Sequence, residues 1–117
     1  AIGDLDGDGA LETIVSSSNY LVYIFDANGK PFRNINPLTM VHDIALADVT
    51  DDGHPELLLA CADGTMRVVR ADGTSVGQFR AQGAMRHVTD CELDGDRTTR
   101  EIAVASDDGT VYALRVD

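Results

Sequence analysis

Three acidic stretches begin at Asp4, Asp48 and Glu92, each 44 residues after the last. They read Asp4-Leu5-Asp6-Gly7-Asp8-Gly9-Ala10-Leu11-Glu12, Asp48-Val49-Thr50-Asp51-Asp52-Gly53-His54-Pro55-Glu56 and Glu92-Leu93-Asp94-Gly95-Asp96-Arg97-Thr98-Thr99-Arg100-Glu101, the third with one extra residue. A fixed period of this length restricts the chain to architectures in which one supersecondary unit recurs and each copy buries its faces against its neighbours.

The register extends past the acidic stretches. Residues 12–16, 56–60 and 101–105 are apolar runs of strand length. A turn follows each, at Asn19-Tyr20, Asp63-Gly64 and Asp108-Gly109. Asp-Gly predicts a tight hairpin with positive φ at both central positions. Further strands are predicted over 21–25, 66–69 and 111–114, and beyond the turns at 26–29 and 70–73 over 32–35 and 75–79. Leading strands fall at 43–47 and 87–91, and no segment carries a helical period. Four short antiparallel strands recurring at about 40–50 residues are the mark of a propeller blade. The predicted fold is therefore all-β, a β-propeller fragment of about three four-stranded antiparallel blades: 1–40, 41–84 and an incomplete 85–117. Closed propellers have roughly four to eight blades. The expectation is a longer propeller, or closure by oligomerisation, since three blades alone expose an apolar face at each end.

Four carboxylates crowded into one tight turn repel each other, and an ordered loop needs a positive charge to compensate. Calcium, a hard cation that takes several oxygens at once, suits them. The plain alternative is a solvated turn, because Asp and Gly favour turns for their own reasons. An EF-hand is excluded by Val15 at the position of its closing glutamate, and by flanking strands instead of helices.

The acidic loop, the following strand and the Asp-Gly-Thr hairpin together resemble the FG-GAP/VCBS family of β-propeller repeats, over nearly the whole chain. The Phe-Gly and Gly-Ala-Pro signatures of its integrin members are absent, so no integrin-type ligand role carries over. The resemblance implies calcium held by side-chain oxygens at loop positions 1, 3, 5 and 9 and a carbonyl at position 7. Those are Asp4, Asp6, Asp8, Glu12 and the Ala10 carbonyl in the first loop, and Asp48, Thr50, Asp52, Glu56 and the His54 carbonyl in the second. The neutral Thr50 lowers the affinity expected of the second loop. In the third, Glu92, Asp94 and Asp96 remain, Arg97 replaces a turn glycine, and the insertion moves Glu101 out of register. That site binds weakly or is a relic held by Arg97 or Arg100.

Net charge of −11 argues against nucleic acid and anionic membranes as partners. The longest apolar run, residues 57–62, is far short of a bilayer span, so no membrane insertion is expected. The sequence opens without a basic-then-apolar leader, so a targeting signal is expected to be absent or removed. Cys61 and Cys91 form no CxxC pair and leave a disulfide open, with small buried residues in a packed blade as the plainer reading. His42, His54 and His87 show no zinc spacing, and the serines at 16–18 lack a nucleophile-elbow frame. Tyr20, Tyr23 and Tyr112 offer contact to sugar or protein, with packing the commoner use.

The functional expectation is a non-catalytic, calcium-stabilised propeller serving as a structural or protein/carbohydrate interaction module, outside the cell, on its surface or in the periplasm, where millimolar calcium fills modest sites. Its partners would be a protein or carbohydrate ligand, and a second copy or the remainder of the same propeller. Two rivals stand beside it. One is the propeller portion of a polysaccharide-degrading enzyme; the other is a self-assembling module completed by strand addition from another chain.

Overall fold

The computed structural model describes residues 1–92 and 100–116. Strands β1 (Ile2–Gly3), β2 (Glu12–Ser16), β3 (Val22–Phe25) and β4 (Pro31–Ile35) form one sheet, and β5 (Val41–Ala47), β6 (Glu56–Cys61), β7 (Thr65–Val69) and β8 (Ser75–Arg80) a second. A third contains β9 (Met85–Cys91), β10 (Glu101–Ser106) and β11 (Val111–Arg115). Within each sheet neighbours in sequence are neighbours in space, and every pairing is antiparallel. No helix occurs among the described residues. The all-β, bladed architecture read from the repeat is the one observed.

Two local features differ from expectation. β5 and β9 begin two residues early because each carries a bulge, at His42 and Arg86, where the pairing skips one residue. A bulge breaks the alternation that marks a strand, so only the regular part beyond it was visible in the sequence. The Asp-Gly hairpins also use another turn. Gly64 donates its N–H to Cys61 O at 3.3 Å and has φ of 88°, while Asp63 is not in the left-handed region. This is a type I turn closed by a left-handed residue, the common three-residue hairpin.

The middle sheet explains the sequence of β6, Glu56-Leu-Leu-Leu-Ala-Cys61, in which every residue is buried. Leu57, Leu59 and Cys61 face the first sheet, meeting Ile14, Val22, Ile24 and Ile35; Leu58 and Ala60 face the third, meeting Met85, Val88, Ile102 and Val104. A strand covered on both faces reads as a continuous apolar run. β2, covered on one, alternates, leaving Val15 exposed. Full burial of a Leu side chain stabilises by about 1.5–3 kcal/mol, so the two seams carry most of the apolar stabilisation. Cys61 and Cys91 hold free thiols.

Where the inner strands of the second and third sheets meet, side chains reach across. His42 Nδ1 lies 2.9 Å from Met85 O, and Asp43 Oδ2 accepts from Val88 N at 3.0 Å. The bulge at His42 places consecutive side chains against consecutive free groups on the edge of β9. Val88 is buried, so Asp43→Ala leaves its N–H without that acceptor and is expected to cost about 1–3 kcal/mol, read as a shift in urea midpoint at constant m-value.

The left-handed turn position holds Gly64 in one blade and Tyr20, with φ of 74°, in another. At Gly64 a Cβ would meet Ala81 O at 2.9 Å, and Ala81 N donates to Gly64 O at 2.8 Å. In the first sheet the residue equivalent to Ala81 is Pro37, which has no N–H to donate. Tyr20, half exposed, occupies that position at a conformational cost of order 1 kcal/mol. Tyr20→Gly is expected to raise stability by about 0.5–1 kcal/mol and Gly64→Ala to lower it by more than about 1 kcal/mol, both measured by thermal unfolding.

Candidate metal centre

The first acidic loop joins β1 to β2, and its carboxylates build its shape. Asp4 accepts from Gly7 N at 2.8 Å and Gly9 N at 2.9 Å, Asp6 from Asp8 N at 3.1 Å, and Asp8 from Ala10 N at 2.7 Å. Each short side chain turns back on the main chain just ahead of it, which is why aspartate suits alternate positions. Gly7 sits at φ of 80°, a conformation that glycine adopts without strain. These contacts draw oxygens of Asp4, Asp6 and Asp8 within 4.8 Å of one another.

The second loop, between β5 and β6, repeats the scheme with changes. Asp48 accepts from Asp52 N and Gly53 N at 3.1 and 2.8 Å, and Asp52 from His54 N at 2.9 Å. Here Asp48, Asp52 and Glu56 form the oxygen cluster. Thr50 directs its hydroxyl to Glu56 Oε1 at 2.7 Å, so it reaches the cluster as a donor to one of its members.

Glu12, unlike Glu56, is not among the residues whose oxygens cluster, but both glutamates hold the start of their own loop. Glu12 is 3 % exposed and its Oε2 accepts from Leu5 N at 2.7 Å; Glu56 is 1 % exposed and its Oε2 accepts from Val49 N at 2.9 Å. Leu5 and Val49 are buried, each in one of the two seams. The closing glutamate thus ties the start of the loop to the strand that follows it. The sequence signal for this role is loop position 2, where both copies carry a branched apolar residue, Leu5 and Val49.

At the third loop, Asp94, Asp96 and Arg97 lie outside the described residues. Glu92 is half-buried, and Arg100 forms an ion pair with Asp90 at 2.6 Å. Glu101 is not displaced in the sheet: it opens β10 opposite Cys91, as Glu56 opens β6 opposite Ala47 and Glu12 opens β2 opposite Gly3. The inserted residue shifts the count along the chain and leaves the strand register intact. Glu101 is 6 % exposed, and its Oε2 has no hydrogen-bond partner among the described residues.

Antiparallel alternation puts the first two acidic loops and the β3–β4 and β7–β8 turns on one rim. A crevice there, between the first and second sheets, is lined by Asp6, Asp52, His54, Glu56, Arg70 and Asp72, and Arg33 Nη1 donates to Asp72 O at 3.3 Å across it. The donor set of both loops is hard oxygen, rich in carboxylate, clustered and open to solvent on one side. That chemistry fits calcium and not a soft metal. Ala10 and His54 donate their N–H groups to Asp8 and Asp52, one member of each cluster.

The Gly9 N–H, with lesser help from Gly7 and Asp8, holds the Asp4 carboxyl below its ordinary 3.8, and the His54 N–H does the same for Asp52. Asp107 and Asp108 are lowered by hydrogen bonds from Arg86 and Tyr112. A carboxyl with a depressed folded pKa stabilises fully above its unfolded value and loses that contribution as pH falls through the folded one. In chelator, the melting temperature should hold above about pH 4 and fall below it. Asp4→Asn should flatten part of that acid decline, checked by circular dichroism melts from neutral to acid pH.

Antiparallel sheets of this size, arrayed side by side with apolar seams between them and loops on the rims, define a β-propeller. A family model for the lambda-carrageenase β-propeller domain matches residues 33–91, half of the chain, and one for an FG-GAP-like repeat matches residues 4–59. The chain belongs to the family of the lambda-carrageenase β-propeller domain, and over residues 4–59 it carries an FG-GAP-like repeat. Among solved structures it is similar to BBS1N in complex with ARL6DN, soaked with mercury, at 16 % identity and a TM-score of 0.75 over 98 % of this chain and 36 % of that one. It is also similar to the biofilm matrix protein Bap1 of V. cholerae, at 22 % identity and a TM-score of 0.53 over 100 % of this chain and 26 % of that one. At such identities the likeness is one of fold, and the chain spans about a third of the length of the BBS1N chains. No curated protein sequence matches it.

Proposed function

We propose that the chain is a calcium-braced stretch of β-propeller whose role is structural or recognitional. The observation that carries this reading is the repetition, on one rim, of two acidic clusters that each join the first strand of a blade to the second. A cation there would be held by Asp4, Asp6 and Asp8 in one loop and by Asp48, Asp52 and Glu56 in the next, with Glu12, Thr50 and the carbonyls of Ala10 and His54 completing the sets. It would neutralise crowded carboxylates and fix the loop between two strands, so that binding free energy becomes folding free energy. Titration calorimetry with calcium should show binding with the first loop tighter than the second. Saturation at a hundredfold above Kd should add about 2.7 kcal/mol per site, seen as a chelator-reversible rise in melting temperature. No heat and no shift in melting would overturn the proposal.

The ligand-facing surface is the rim, where the exposed loop positions stand clear of the seams that Leu5 and Val49 fill. A protein or carbohydrate partner is supported by the company the fold keeps, a complex with ARL6DN in one structure and a biofilm matrix protein in another. Modest calcium sites and the biofilm relative favour a place outside the cell, on its surface or in the periplasm. With a net charge of −11 the surface is unsuited to nucleic acid.

The match to the lambda-carrageenase propeller domain favours a second reading, a propeller within a polysaccharide-degrading enzyme. Incubation with sulfated and carboxylated polysaccharides separates the two. New reducing ends that persist in purified protein would support the enzyme, and binding without cleavage the recognition module.

A further inference from the structure

The first two acidic loops touch. A Cβ built on Gly7 would lie 3.0 Å from Cε1 and 3.4 Å from Nδ1 of His54, so the imidazole of the second loop fills the space beside the turn of the first. Gly7 stands between Asp6 and Asp8 in the left-handed conformation that brings their oxygens together. His54 donates its own N–H to Asp52, a member of the second cluster, and Pro55, which follows it, restricts its backbone. One residue therefore belongs to the main chain of the second loop and, through its ring, to the packing of the first.

We infer that the two loops take calcium cooperatively, coupled across the blade seam by the His54 ring on Gly7. The inference rests on the calcium reading above and concerns how the two sites regulate each other. Ordering of one loop holds His54 in place, and a held His54 lowers the entropy that the Gly7 turn loses when its own carboxylates close on an ion. The dependence is reciprocal by linkage.

Calcium titration of the whole chain, followed by amide resonances of Gly9 and Gly53, reads the loops separately. Disabling the first loop with Asp8→Asn should raise the half-saturation concentration at Gly53 about fivefold, the low end of ordinary coupling between sites. In a His54→Ala background the same Asp8→Asn change should move it less than about twofold, because the connecting ring is gone. An unchanged midpoint at Gly53 in Asp8→Asn, or an equal shift with and without the ring, overturns the coupling while calcium binding stands. Silence at both glycines in millimolar calcium overturns the calcium reading itself.

Discussion

Every other feature of this protein depends on faces that no sheet can bury alone. A blade of four short strands has two broad sides and a thickness of one backbone, so its apolar residues leave water only when another blade lies against them. The middle sheet satisfies this twice, with Leu57 and Leu59 on one side and Leu58 and Ala60 on the other. Its neighbours satisfy it once. Tyr23 and Phe25 stack with ring centroids 6.4 Å apart on the far face of the first sheet, beside the exposed Val15 and Phe32, and Val111 stands exposed on the third. Stability in such an array is a sum over seams more than over blades.

The acidic loops have to be understood inside that arrangement. Their carboxylates are fixed by main-chain N–H groups before any cation is considered, and their apolar second residues, Leu5 and Val49, plug the seams. The buried glutamate at the loop's end holds that plug by its N–H. The charge that crowds the rim and the apolar contact that closes the seam are thus adjacent on the same few residues. A change in how well the rim charge is neutralised bears on the packing between blades.

Much of this was legible in the sequence, for a physical reason. Strand alternation, turn residues and a strict repeat each report a local requirement, and here they agree three times over. The strands of all three sheets, the acidic clusters and the buried place of Cys61 follow from residues read in order. What stayed hidden depends on contacts across the seams or on backbone detail. The bulges at His42 and Arg86 leave no alternation to read. The left-handed Tyr20 looks like any turn residue until Gly64 and Gly109 are set beside it. Glu101 seemed displaced because counting along a loop ignores the freedom of the loop to absorb an insertion. The approach of His54 to Gly7 joins residues 47 apart, and nothing local announces it.

The contact between His42, Asp43 and the edge of β9 draws most of its side chains from one partner. From β5, His42 and Asp43 reach main-chain groups of Met85 and Val88, and from β9 the His87 ring stands 3.8 Å from Asp43 Oδ2. The two main-chain groups of β9 are present whatever its side chains, whereas the two groups that meet them belong to particular residues of β5. The next blade has different residues: where His42 and Asp43 stand in the second sheet, the third has Arg86 and His87, and Arg86 is turned to Asp107 of its own sheet at 2.8 Å. The array therefore has a grain, and a blade lifted from one position would not grip its new neighbour from the other side.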